Sequence, residues 1–447
     1  MSRSSLRKGG KGMNMYMRYL ACWCLVIALV GCSIPGSNLS GAGMSGEMKV
    51  LQSQKAREAS PVVQSTDAAA LVEGNNQFAL NLYRLLSSSQ DNLIFSPYSI
   101  SSALAMTYAG ARGNTAKEMA EALHFRLSQE KLHPAFNSLD QALASREKDV
   151  QPKEGTGFKL RTANSIWGQA NYAFLPEFLD VLALNYGAGL RVLDFKKDPE
   201  AARQVINQWV SQQTEQKIKD LLSPDAIKRD TTLVLTNAIY FNASWLMKFN
   251  RDATRDGTFN LLSGGSVSVP MMNHIGSFRY AEGKDYQALE LLYLGRKLSM
   301  LVILPSQSQY SSFEKSLDAA KLKEITSTLA PRDVTLSLPR FKSETKVDLP
   351  EQLQILGMKD AFAGGRADFS GMDGSRNLYI SKVVHKAVIA VDEEGTEAAA
   401  ATAVVVARTS MPMNQVRFIA DRPFIYFIRD NETGAVLFMG RVLNPKA

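Results

Sequence analysis

Few side chains in this 447-residue chain are arranged for chemistry of their own. Its four histidines, at 124, 133, 274 and 385, show neither HExxH spacing nor a Cys/His ligand pattern, which leaves no zinc constellation to argue from. There is no GxSxG elbow, no P-loop and no GxGxxG after a strand, so nothing supplies an activated nucleophile or a cofactor cradle. Two stretches stand out instead. One is Cys32, which closes the run Leu29-Val30-Gly31-Cys32. The other is residues 388–410, VIAVDEEGTEAAAATAVVVARTS.

That second stretch opens as a strand in Val388-Ile389-Ala390-Val391. From Thr396 it has small or β-branched side chains, no charge between Glu397 and Arg408, and no proline before Pro412. Ordinary loops use Gly, Pro, Asn and Asp to solve particular turns, and after Gly395 this one uses none of them. Alanine favours helix and Val404-Val405-Val406 favours strand, so its local preference is divided. One reading is an Ala-rich surface helix followed by a buried strand. The other is a segment with two homes, outside a sheet or within it, since small side chains let an extended chain enter between strands. At about 3.3 Å per residue it extends roughly 45 Å from Gly395 to Thr409, enough to run along a full sheet.

With 45% hydrophobic residues the chain can bury a large core. The first residues stand apart from it. Arg3, Arg7, Lys8, Lys11 and Arg18 precede a short apolar run over 19–30 and then Cys32, the pattern of a bacterial lipoprotein signal peptide, too short for a comfortable membrane span. The alternative is an uncleaved membrane anchor. Cleavage after residue 31 makes Cys32 the first mature residue, carrying a lipid, and removes Cys22 and Cys24. It also removes five positive charges and takes the net charge from +8 to +3. The basic balance is therefore a property of the leader and gives no reason to expect nucleic-acid binding. Residues 32–66, rich in Ser, Gly, Ala and Gln, read as a flexible tether.

The remainder, 67–447, reads as one domain mixing helices and strands. Helical spacing over 66–86 has Thr66 or Asp67 available as a cap, and Ser96-Pro97 opens an apolar helix through Tyr108. Thr115 is placed to cap a helix over 116–123. Asp198-Pro199 starts a helix whose Ile206, Trp209, Val210 and Ile218 share one face. Residues 161–167 and 192–195 read as strands, and 232–241 as a strand buried on both faces. Asn237 within it needs a hydrogen-bond partner, because a buried unsatisfied amide costs about 1 to 3 kcal/mol. Further strands fall at 271–278, 289–293, 298–305 and 334–341, and near the C-terminus.

The run Glu393-Glu394-Gly395-Thr396-Glu397-Ala398-Ala399-Ala400-Ala401 resembles the reactive-loop hinge of inhibitory serpins, which carry an acid, any residue, Gly, Thr, Glu and then small residues. FSPYSI at 95–100, the GARGNT turn at 110–115 and the C-terminal strands also resemble that family, so the likeness covers about 67–445. It implies an α+β serpin fold with a large central mixed sheet, two further sheets, about eight to nine helices and an exposed, mobile reactive loop. It implies no enzyme and no cofactor, but a monomeric suicide substrate. A target serine or cysteine protease cleaves the loop, and the freed hinge enters the sheet and traps the acyl-enzyme as a covalent complex.

Carried over residue by residue, the resemblance makes Ser96, Ser99, Asn237, Trp245, His385 and Arg340 residues that hold or release the sheet. His385 bonds Asn237, and Arg340 pairs with Glu393. Family spacing puts the scissile bond at Thr409-Ser410, or one residue earlier at Arg408-Thr409, which would redirect the bait to trypsin-like enzymes. The alternative function is a non-inhibitory serpin, a carrier or cell-surface structural protein. The leader adds export and a lipid on Cys32, which fastens the protein to the outer membrane or cell surface, facing periplasm or exterior.

Overall fold

The computed structural model describes residues 48–149, 159–396 and 415–447. Among these the chain forms two sheets. One has seven strands in the order β1 (Lys49–Leu51), β4 (Leu190–Leu193), β3 (Lys159–Gln169), β5 (Leu233–Ser244), β13 (Gly395–Thr396), β12 (Ile380–Val391) and β11 (Phe341–Asp348). The other runs β14 (Val416–Ile419), β10 (Ala330–Pro339), β7 (Ser266–Glu282), β8 (Tyr286–Leu292), β9 (Leu298–Pro305), β15 (Phe424–Asp430), β16 (Val436–Val442) and β2 (Leu93–Phe95), with β6 (Arg255–Asn260) beside β7. The two further sheets expected from sequence are thus one continuous ladder. Long β7 joins them, pairing with β10 along most of its length and with β8 at its end.

Ten α-helices occur among the described residues, against the eight to nine expected. Pieces such as Ser370–Asp373 are too short to leave a periodic signal. Helix α2 (Pro97–Tyr108) lies between the sheets, touching β3, β5 and β16, and is buried almost throughout. Every residue of β5 is buried. Its Leu235, Ile239 and Phe241 face the main core, while Val234 and Ala238 face Ile206 and Val210 of α6 (Pro199–Gln213). The unbroken apolar run is what such two-sided burial requires.

Several local expectations need correction. Helix α1 (Ser65–Leu86) has no side-chain cap, and Asp67 pairs with Lys131 at 3.1 Å. Thr115 sits inside α3 (Gly113–Ala122), where its Oγ1 accepts from the Asp368 N–H at 2.9 Å; the structure uses the hydroxyl to hold a distant loop. Asp198 does cap α6, accepting from the Ala201 N–H at 2.9 Å. That helix stops at Gln213, so Ile218 belongs to the connection beyond it, and Glu215 and Gln216 take left-handed backbone.

The tether expected over 32–66 also differs where it is described. Residues 48–58 are strapped to the domain: β1 pairs with β4, and Arg57 donates to Asn137 at 2.8 Å and Asp140 at 2.7 Å. A Cβ on Gly189 would meet the Leu51 carbonyl oxygen at 2.7 Å, so the domain makes room for the strap. Composition alone could not show this, because a three-residue edge strand leaves no pattern. The leader and Cys32 lie outside the described residues.

Candidate functional site

The neighbouring strands β5 and β12 meet in two different ways along their length. Over the lower seam they form a parallel ladder, Leu233 through Tyr240 against Ile380 through Val388. Over the upper seam they part, and β13 lies between them, antiparallel to both. Gly395 is opposite Ser244, and Thr396 is opposite Ala243 on one side and Val391 on the other.

The lower seam is closed by a buried neutral network. Asn237 and His385 face each other in register, and the amide oxygen bonds the imidazole Nδ1. The other ring nitrogen, Nε2, accepts from the Ser96 N–H at 3.2 Å. A ring nitrogen that accepts carries no proton, so the proton is on Nδ1 and is given to Asn237. The Asn237 amide in turn donates to Asn164 Oδ1 at 2.5 Å and Ser99 Oγ at 2.7 Å, and Ser99 Oγ donates to Asn164 Oδ1 at 2.9 Å. Ser96 ends the chain of bonds as the cap of α2, its Oγ accepting from the Ser99 N–H at 3.2 Å. Full burial drives the His385 pKa down from 6.5 to about 3, so the ring is neutral at physiological pH.

The upper seam is held by charge and by a strand of two residues. Arg340 Nη2 lies 2.6 Å from Glu393, whose side chain is 2% exposed against 43% for the arginine. Thr254 Oγ1 also donates to Glu393 at 2.5 Å. Burial works to raise the Glu393 carboxyl, and these bonds outweigh it, leaving it below the usual range. Burial raises Asp392 against two N–H bonds from Glu394 and Gly395. Glu394 pairs with Lys248 at 2.9 Å.

Trp245 shapes the opening from three sides. Its backbone N–H donates to the Glu394 carbonyl and its indole to the Asp392 carbonyl, both at 2.9 Å, while its ring stacks on Tyr293 at 4.6 Å. The Tyr293 hydroxyl reaches Thr396 Oγ1 at 2.8 Å. Only glycine fits at 395, where a Cβ would stand 2.1 Å from the Ala243 carbonyl oxygen.

The structure therefore brings Ser96, Ser99, Asn237 and His385 together at one place, and Arg340, Trp245, Glu393, Gly395 and Thr396 at another. It differs from the expectation of a hinge stored wholly outside, because Thr396 is already buried in the sheet. Sequence reasoning missed Asn164, Thr254, Lys248 and Tyr293. Asn164 carried a readable signal, a second amide within an alternating strand. Glu397, Ala398, Ala399, Ala400, Ala401, Arg408, Thr409 and Ser410 lie outside the described residues.

A family model described as Serpin (serine protease inhibitor) matches residues 73–445. The chain is 44% identical to leukocyte elastase inhibitor of Sus scrofa, covering 84% of this chain and 99% of that protein. It is 42% identical to an uncharacterized serpin-like protein of Thermococcus kodakarensis, over 84% of this chain and 86% of the other. Among solved structures, it is similar to native Tengpin, a thermophilic serpin, with a TM-score of 0.78 and 31% identity, covering 87% and 97% of the two chains. Uncleaved ovalbumin gives a TM-score of 0.75 at 29% identity, over 84% and 100%.

Proposed function

The chain belongs to the serpin family, and from that membership we propose that it inhibits serine-type endopeptidases, and cysteine proteases of similar preference, as a suicide substrate. The observation that carries this reading is β13: the hinge is already the first two residues of a strand between β5 and β12.

The register of β13 supports a path for insertion. Continued past Thr396, the antiparallel ladder sets residue 402 opposite Asn237 on β5 and opposite His385 on β12. Thr402 has the same parity as Thr396, so its side chain would face the interior, where the latch lies. Insertion thus separates His385 from Asn237 and offers each a threonine hydroxyl. Residues of the opposite parity, from Ala399 to Ala403, would pass beneath α6, and alanine is what passes there without collision.

Attack by a protease hydroxyl or thiol on the bait carbonyl forms the acyl-enzyme and frees the chain beyond the cut. New ladder bonds and buried Ala and Val side chains then favour the inserted state, and the protease is carried along before water can release it. The bait bond is Thr409-Ser410 by family spacing. On the amino-terminal side, the leader supports export and lipid attachment at Cys32, which would partition the protein into a detergent phase; Cys32→Ala is expected to abolish that partition.

The test of inhibition is incubation with elastase-like, subtilisin-like, papain-like and trypsin-like proteases, followed by SDS electrophoresis and mass spectrometry. A complex surviving SDS and a released fragment beginning at Ser410 are expected. A fragment beginning at Thr409 moves the bait to Arg408. Cleavage with no surviving complex under any of the four enzymes overturns the inhibitory reading in favour of a carrier or surface protein.

A further inference from the structure

The connection leaving α6, residues 214–232, crosses the β5–β12 seam: Ile218, Leu221 and Leu222 pack with Val234 and Ala238 of β5 and with Val384 and Val388 of β12. It bends through left-handed backbone at Glu215, Gln216, Asp220 and Asp225, four non-glycine residues in that region. Past Leu222 it borders a cavity of about 190 Å³, whose polar lining is Ser223, Asp225, Lys346, Asp348 and Lys382.

The charges around this cavity are incompletely matched. Lys346 of β11 and Lys386 of β12 stand directly opposite in the antiparallel ladder, an arrangement that like charges oppose unless something neutralises them. Lys386 is committed to Glu344 at 2.7 Å, and Lys382 to Asp348. Lys346 has no carboxylate at ion-pair distance among the described residues. Its ammonium donates only to Ser223 Oγ at 3.1 Å and to the Asp220 carbonyl oxygen at 3.4 Å. Partial loss of solvent around the ammonium first, and the Lys386 charge after it, lower the Lys346 pKa against Asp220 and Asp348, which raise it. Asp225 lines the cavity and accepts no hydrogen bond among the described residues, while its charge acts on Arg203.

We propose that this cavity binds hydrogen phosphate, with the Lys346 ammonium and Ser223 hydroxyl on its charged oxygens and the Asp225 carboxylate accepting from its P–OH. An ammonium that reaches only neutral oxygens, in the same lining as a carboxylate that accepts no hydrogen bond, selects an oxyanion that still carries a proton. Sulfate carries none at neutral pH, and Asp225 would repel it. Lys346 already donates to Ser223, and a bound phosphate adds its own oxygens and Asp225 to that tie, holding the connection more firmly to the β12 side of the seam. On the inhibitory reading above, this slows entry of the cleaved hinge.

The test is isothermal titration of the detergent-solubilised full chain with sodium phosphate and with sodium sulfate at constant ionic strength. Phosphate is expected to bind in the millimolar range, with sulfate at least about tenfold weaker. Lys346→Gln, at an exposed position, is expected to weaken phosphate at least about tenfold, and Asp225→Asn to bring the two anions within about threefold of each other. Unchanged phosphate affinity in the Lys346→Gln variant, or equal affinity of the native protein for both anions, overturns the proposal. So does Lys346-dependent pelleting with vesicles of anionic phospholipid when free phosphate gives no heat, which would make the site a headgroup contact. The readout is heat of binding, so its failure leaves protease trapping untouched, and a failure to trap proteases leaves the site standing.

Discussion

The upper and lower seams between β5 and β12 separate the same two strands and are secured by opposite means. Above, the strands are already apart, and the gap is filled by Gly395 and Thr396 and braced by the Arg340–Glu393 and Lys248–Glu394 ion pairs. Below, they are joined by ladder bonds and by a neutral network with no net charge, from Ser96 through His385 and Asn237 to Ser99 and Asn164. The Arg340–Glu393 pair reaches solvent on its arginine side and exchanges there with water and salt, whereas Lys248–Glu394 is largely enclosed. A fully buried hydrogen bond does not exchange in this way, since each half left alone costs about 1 to 3 kcal/mol. On the inhibitory reading proposed above, the difference separates two tasks: the upper seam sets where entry begins, and the lower seam sets when it proceeds.

The largest expected effect comes from breaking the upper seam itself. Thr396→Arg places a cation where Thr396 is buried against Tyr293, and an unpaired charge there is strongly disfavoured. The yield of SDS-stable complex should fall about 100-fold or more while cleavage continues. An unchanged yield would show that entry does not start at this hinge.

A smaller effect should come from protonating the lower seam. His385 is held neutral, its pKa near 3 against 6.5 when exposed, so between those values the unfolded chain binds the extra proton. The stability it contributes is complete above about pH 6.5 and is lost as pH falls toward 3, at up to about 1.4 kcal/mol per pH unit. His133, lowered by burial to about 4, acts in the same direction. Denaturant unfolding of the native protein and of His385→Asn between pH 4 and 7 isolates the first contribution: the variant should show the shallower pH slope. Equal slopes would remove His385 from the account.

The smallest expected effect is at Arg340. Its guanidinium is nearly half exposed, and Thr254 remains on Glu393 after its removal. Arg340→Ala should cost about 1 kcal/mol, or about 2 °C in Tm, and should diminish in high salt. A loss that exceeds the His385 effect would reverse the ranking of the two seams.

How much of this was legible in the sequence depends on how many residues each feature spans. The long elements announced themselves: the apolar run of β5, the Asn237 amide within it, and Pro97 at the start of α2. Glu393, Gly395 and Thr396 were readable because the motif fixes residue types at adjacent positions. Arg340, Trp245 and His385 were named only through family likeness, since nothing in their own neighbourhoods points across 53 to 148 residues to their partners. What stayed hidden is short or tertiary. The two residues of β13 cannot show a period, and the strap over 48–58 reads as linker because its order comes from β4 and from Arg57 reaching α4 (Gln129–Ser145). Helix α6 read too long because Ile218 keeps its apolar phase after the backbone has turned left-handed.

The strap has a mechanical consequence. A pull on the chain ahead of Met48 arrives first at β1, whose ladder bonds to β4 run crosswise to the strand and must fail together rather than one after another. Load therefore enters at the rim of the seven-stranded sheet, with β4 and β3 standing between it and the strand that borders the hinge. A tug applied ahead of Met48 is absorbed there as shear before it reaches the strand beside the hinge.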